Sequence, residues 1–224
     1  MYFDWTYIIL LPALILAAYA QSKVSSTYSK YAKVRARSNI TAAQAARQLL
    51  DMNGLNDIPI QPIKGNLTDN YDPRNKVLHL SEATYNSSSV AALGVAAHEC
   101  GHACQDKENY APLRIRNSLV PVANIGSSAS WILFIAGLLL SLGGLVQIGI
   151  ICFSAVVLFQ LVTLPVEFNA SNRALASLEG AGFLESDELS QAKKVLSAAA
   201  LTYVASALTA ILQLVRMLAI ARRR

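Results

Sequence analysis

Hydrophobic positions along this chain fall into long unbroken runs separated by two polar, punctuated segments. The first run covers roughly Trp5 to Ala20 and predicts a membrane crossing. A signal peptide is the competing reading, because Ala18-Tyr19-Ala20 stands where a cleavage site would. The flanking charges favour an uncleaved anchor. No Lys or Arg precedes the run and Asp4 does, whereas Lys23, Lys30, Lys33, Arg35 and Arg37 crowd its far side. That asymmetry places the N-terminus outside and the next segment inside.

From Gln21 to about Arg116 the pattern changes to short periodicities. Ser38 to Asn53 reads as an amphipathic helix, with Thr41 as cap, Ala43, Ala46, Leu49 and Leu50 as its apolar stripe and Gly54 as its stop. Two strand candidates follow, Ile58 to Ile63 and Lys76 to Leu80, joined by an Asn-, Asp- and Gly-rich loop. Pro59 and Pro62 restrict the first strand to an edge. A helix is predicted over Ser87 to Asp106, capped within Asn86 to Ser88.

Leu119 to Pro165 is nearly uncharged and too long for a single crossing of about 20 residues. Gly143-Gly144 divides it into spans near Ser127–Leu142 and Leu145–Leu164, and so short a connection makes them a helical hairpin. Asn117 to Ser130 offers an extension of the first span towards water. A polar helix is expected over Val166 to Glu179, then a last apolar stretch from Ala198 to Ile220. That stretch ends in three arginines and is interrupted by Gln213 and Arg216, so it is either a fourth crossing or an interfacial helix. The segments are therefore residues 1–20 (anchor), 21–118 (catalytic), 119–165 (hairpin), 166–197 (polar helix) and 198–224 (last apolar helix). The fold class is mainly α: a polytopic membrane protein with a small α+β, zincin-like catalytic part.

Composition supports this. Of 224 residues, 54% are hydrophobic and 15% charged, against about 25% charged in soluble domains. The net charge of +5 does not imply nucleic acid, because the basic residues flank apolar spans, where they set topology. Three cysteines, one in an apolar run, give no disulfide framework and suit a reducing compartment.

The chain has only three histidines, and two stand in His98-Glu99-Cys100-Gly101-His102. On a helix a four-residue step puts both imidazoles on one face, where they can share one Zn²⁺. Glu99, about 100° round the helix, reaches a metal-bound water without ligating. This is the arrangement of a zinc hydrolase, with Glu99 as general base. Cys100 and Cys104 lie off that face and read as reduced bystanders. A third ligand is needed. His79 in the second strand candidate is one choice, though a solvated strand histidine is the commoner reading. Glu167 is the better one, because a lone carboxylate at a membrane boundary is costly unless paired or metal-bound.

H-E-C-G-H, followed two spans later by V-E-F-N-A-S-N-R-A, resembles the YugP-like neutral zinc metallopeptidases of bacterial membranes. The likeness extends to Leu67–Lys76, Leu80-Ser81-Glu82, Tyr110–Leu113 and Leu119–Asn124, nearly the whole chain. More distantly the chain is similar to the HtpX and CAAX-prenyl-protease metallopeptidases. The resemblance implies one zinc ion held by His98, His102 and Glu167, with Glu99 as base. The distant relatives carry an Asp four residues beyond the third ligand; here Ser171 stands there, so Asn169, Ser171 and Arg173 are all candidates to support the ligands. Arg173 suits either an oxyanion contact or a salt bridge. Val77, Leu78, His79 and Leu80 are candidates for an edge strand that pairs with an extended substrate.

The expected activity is that of a membrane-integral zinc metalloendopeptidase in the cell membrane, its site facing the cytoplasm. Its expected contacts are a peptide or protein substrate, membrane-associated or not, the lipid bilayer, and room for a partner protein. The rival reading is a non-catalytic membrane adaptor that keeps zinc for stability. A metal transporter is disfavoured, because the spans hold few polar residues: Gln147, Gln160, Gln213 and Arg216.

Overall fold

The computed structural model describes residues 5–222; Asp4, Arg223 and Arg224, which entered the topology argument, lie outside them. A short 3₁₀ turn, Trp5–Leu10, leads into α1 (Leu11–Tyr31). Then come α2 (Ala42–Met52), β1 (Ile60–Ile63), β2 (Asn70–Asp72), β3 (Val77–Ser81), α3 (Glu82–Tyr85) and α4 (Val90–Lys107). Three long helices finish the chain: α5 (Ala111–Leu139), α6 (Gly143–Gly180) and α7 (Ser186–Ala221). The protein is mainly helical. It divides into two compact units, one of residues 22–110 and 166–200, the other of residues 1–21, 111–165 and 201–224.

In the first unit, α2 begins where Thr41 closes a capping box with Gln44, so Ser38 to Ile40 precede the helix rather than open it. It ends at Asn53 and Gly54, the latter at φ +63, a conformation natural to glycine. Its buried face is Ala42, Ala45, Ala46, Leu49 and Leu50; Ala43, expected in that stripe, is only partly buried.

The sheet order is β1-β3-β2, with β1 parallel and β2 antiparallel to β3. This corrects the sequence expectation for Val77, Leu78, His79 and Leu80. They form the central strand, paired through Leu78–Ser81 with β1 and through Val77–His79 with β2. Both hydrogen-bonding edges of β3 are thus engaged, and a substrate cannot add there. The proline-containing β1 is an edge, as expected. Leu78 and Leu80 point into the core, fully buried, together with Leu49, Leu50 and Leu93.

α4 starts at an N-cap one residue beyond the predicted caps, with Ser89 Oγ accepting from Ala92 N. It is rich in small residues, and nearly every position from Val90 to Gln105 is buried. The lower part of α6 packs on it through Val166, Ala170, Ala174 and Leu178, all fully buried and four residues apart. A Cβ on Gly101 would lie 2.7 Å from the Ala170 carbonyl oxygen, so the absent side chain sets how closely these helices approach.

In the second unit, α5 and α6 turn through Leu140–Leu142 as the predicted hairpin. Gly137 packs against Val146 there, within the chain. Thr6–Tyr31 and helices α5, α6 and α7 are all long and apolar enough to cross a membrane. Four boundaries differ from expectation. α1 runs on past Ala20 to Tyr31, α5 already begins at Ala111, α6 continues through Pro165 as one helix, and α7 begins at Ser186 rather than Ala198. A proline forfeits one helical hydrogen bond, a loss tolerated where packing holds the flanking turns. Arg216, buried on α7, lies over the Tyr7 ring at 3.9 Å and donates from Nε to Thr6 Oγ1 at 3.1 Å.

Candidate metal centre

α4 carries His98 and His102 one turn apart, with ring centroids 4.7 Å apart and planes at 84°. α6 delivers Glu167 to the same point. Its Oε2 lies 3.3 Å from His98 Nε2 and 3.6 Å from His102 Nε2, and the side chain is only 2% exposed. The three ligand atoms lie within 4.8 Å of one another. Among the described residues this is the group positioned to hold one metal ion.

The donor set fits zinc. Bonds of about 2.0–2.1 Å in a tetrahedron set ligand atoms roughly 3.3–3.4 Å apart. The two imidazole–carboxylate distances are close to that edge. Two nitrogens and one oxygen, without sulfur, are a three-ligand catalytic set rather than a closed structural one. Cys100 points elsewhere, its Sγ 3.6 Å from the Ala46 carbonyl, and burial pushes its thiol well up. His79 also lies outside the group; its Nδ1 is 3.2 Å from Asn70 Oδ1.

Each ligating ring is anchored through its other nitrogen. His98 Nδ1 is 3.2 Å from Ser171 Oγ, and His102 Nδ1 is 3.0 Å from Gln105 Oε1. Gln105 is fully buried and donates from Nε2 to Val166 O and to Asn169 Oδ1, both at 2.9 Å. Asn169 Oδ1 also accepts from Arg173 Nε at 2.8 Å, and Arg173 forms a two-pronged pair with Glu108 at 2.8 and 2.6 Å. Of the three support candidates, Ser171 therefore touches a ligand directly, Asn169 acts through Gln105, and Arg173 is in a salt bridge. For His102, burial disfavours the charged ring, but the hydrogen bond to Glu167 and the charges of Glu99 and Glu167 outweigh it and raise its pKa.

Glu99 is nearly buried, and its Oε2 accepts from Tyr71 N at 2.9 Å. Tyr71 is held a second time on α4, its hydroxyl donating to Asp106 Oδ2 at 2.9 Å. Burial and that bond push the Tyr71 hydroxyl far above its ordinary value. The outer side of β2, not β3, thus adjoins Glu99. Sequence reasoning missed Tyr71 and Gln105. Gln105 had a signal: it lies seven residues after His98 and three after His102, a polar residue on their face of an otherwise small-residue helix.

A helix-borne pair of imidazoles meeting a carboxylate from a second helix, with a glutamate beside them, defines a zinc metallopeptidase site. The chain as a whole matches the same class. It belongs to the family described as "Putative neutral zinc metallopeptidase", whose sequence model matches residues 6–222. It is also similar to the "Putative membrane protease YugP" of Bacillus subtilis (strain 168), at 50% identity over 208 residues, covering 93% of this chain and 92% of that protein. No solved structure matches it. The chain is thus a zinc metallopeptidase, and its relative together with the four apolar helices makes it a membrane protein.

Proposed function

We propose that the chain is a membrane-integral endopeptidase that hydrolyses peptide bonds with Glu99 as general base. The observation that carries this is the convergence of Glu167 Oε2 on both His Nε2 atoms next to Glu99. His98, His102 and Glu167 would hold the zinc. When bound, the ion supplies Lewis acidity to the scissile carbonyl and acidifies the attacking water. Tyr71 N–H fixes Glu99 Oε2 and leaves Oε1 to take the water's proton and pass it to the leaving amine. Ser171 and Gln105 hold the imidazoles in orientation.

The α4–sheet assembly is then a zincin-like part. The basic residues from Lys23 to Arg37 support a multi-pass topology with the site on the cytoplasmic face of the cell membrane.

Glu99→Gln is the test. Hydrolysis of an unfolded protein such as casein should fall by at least about 100-fold while zinc stays bound, because proton transfer is lost and the ligands are not. Activity close to wild type in that variant would remove the mechanism. Zinc without any hydrolysis in the wild-type chain would favour an adaptor.

A further inference from the structure

The polar network behind His102 leaves only one arrangement of hydrogens. Arg173 has no acceptor, so Asn169 must turn its oxygen to the Arg173 Nε–H, 2.8 Å away. That same oxygen and the Val166 carbonyl oxygen both face one end of the Gln105 amide at 2.9 Å. Neither can donate, so that end must be the NH₂. The Gln105 orientation is therefore fixed twice over, and its Oε1 faces His102 Nδ1 at 3.0 Å. A carbonyl oxygen only accepts, so Nδ1 carries the proton, and in the neutral ring Nε2, on the Glu167 side, is the nitrogen with the lone pair.

We propose that Gln105 is a positioning residue that locks His102 in the Nδ1–H tautomer and so presents Nε2 to the metal. Glu108, Arg173 and Asn169 form the brace that keeps the Gln105 amide from flipping. The network explains why a fully buried, polar Gln105 is kept in a helix of small apolar residues. Burying an amide costs free energy unless its groups are paired, and all three contacts here are made.

The inference rests on His102 being a zinc ligand, and the test separates the two. It uses the full chain in detergent, zinc affinity by competition with a chelator, and long-range ¹H–¹⁵N spectra of zinc-loaded, ¹⁵N-histidine-labelled protein. With three histidines in the chain, such spectra are simple to read. Gln105→Met should weaken zinc about 10–100-fold and lose the single pattern of a metal on Nε2 with a proton on Nδ1. Asn169→Leu removes one of the two contacts that fix the amide and leaves the Val166 carbonyl, so it should weaken zinc less than Gln105→Met does.

A folded Gln105→Met variant with wild-type affinity and spectrum would overturn the inference. Should Gln105→Met fail to fold, a wild-type spectrum with the metal on His102 Nδ1 and the proton on Nε2 would overturn it as well. A wild-type chain that binds zinc without a His102 signal would sink the ligand assignment instead.

Discussion

One helix, α6, shows how differently the two units are built. Before Pro165 one face buries Val146, Phe153 and Val157, while Ile148, Ile151, Leu158 and Leu161 are exposed, Ile151 at 68%. After Pro165 the pattern reverses: Val166, Ala170 and Ala174 are fully buried, and polar Glu167 is buried with them. The helix is long and apolar enough to cross a membrane, and in lipid such an exposed apolar face needs no protein partner. After Pro165 the polar groups at the ligand cluster are paired: Glu167 with the imidazoles, Gln105 through three contacts. The unit that holds the cluster thus pairs the polar side chains buried there, whereas the other exposes apolar surface.

That contrast can be broken by matched substitutions. The largest effect is expected in the aliphatic core. Leu93→Ala, at a fully buried site of the catalytic unit, should cost about 2–5 kcal/mol. Ile132→Ala, 69% exposed on α5, should cost under about 0.5 kcal/mol in the same detergent. Denaturant melts of both variants measure this, and equal losses would erase the distinction.

A smaller effect comes from helix approach. Gly101→Ala puts a methyl 2.7 Å from the Ala170 carbonyl oxygen and should destabilise by about 1–3 kcal/mol, with weakened zinc binding. The same change at Gly144, with nothing within 4 Å, should be neutral or slightly stabilising, up to about 1 kcal/mol from helix propensity. Thermal shift and zinc content report the pair.

The smallest effect is one of pH, and its sign differs between the metal-free and metal-bound chains. The His102 pKa is raised by Glu167 and Glu99. In the metal-free chain a charged His102 therefore adds stability below the ordinary histidine value of about 6.5, and this is lost as pH rises through the raised one. Zinc needs the neutral ring, so its affinity should fall about tenfold per pH unit once pH drops below the raised value. Chelator competition across pH 5 to 8 should show that loss beginning above about pH 6.5, the ordinary histidine range. A flat profile down to pH 5 would contradict the influence of Glu167 and Glu99 on His102.

Much of this was legible in the sequence. The spans are long apolar runs, and the motif is local, so helix periodicity alone put His98, Glu99 and His102 together. What escaped was non-local. β2 is three residues in an Asn- and Asp-rich loop and exists only by pairing with β3, so β3 read as an edge when it is central. Pro165 read as a boundary, but packing on both sides carries α6 through it. The polar start of α7 has no apolar run to announce it, although Glu188 is buried there and accepts from the backbone N–H groups of Arg37 and Glu185. Gln105 could not be assigned a role until Val166 and Asn169 were seen beside it.

The central claim is a single zinc held by two imidazoles and one carboxylate. Zinc K-edge X-ray absorption on the metal-loaded chain tests it most directly. The account predicts imidazole scattering from two ligands, light N/O donors at about 2.0–2.2 Å, and no sulfur. A Zn–S shell at about 2.3 Å, bringing Cys100 or Cys104 into the site, would contradict it.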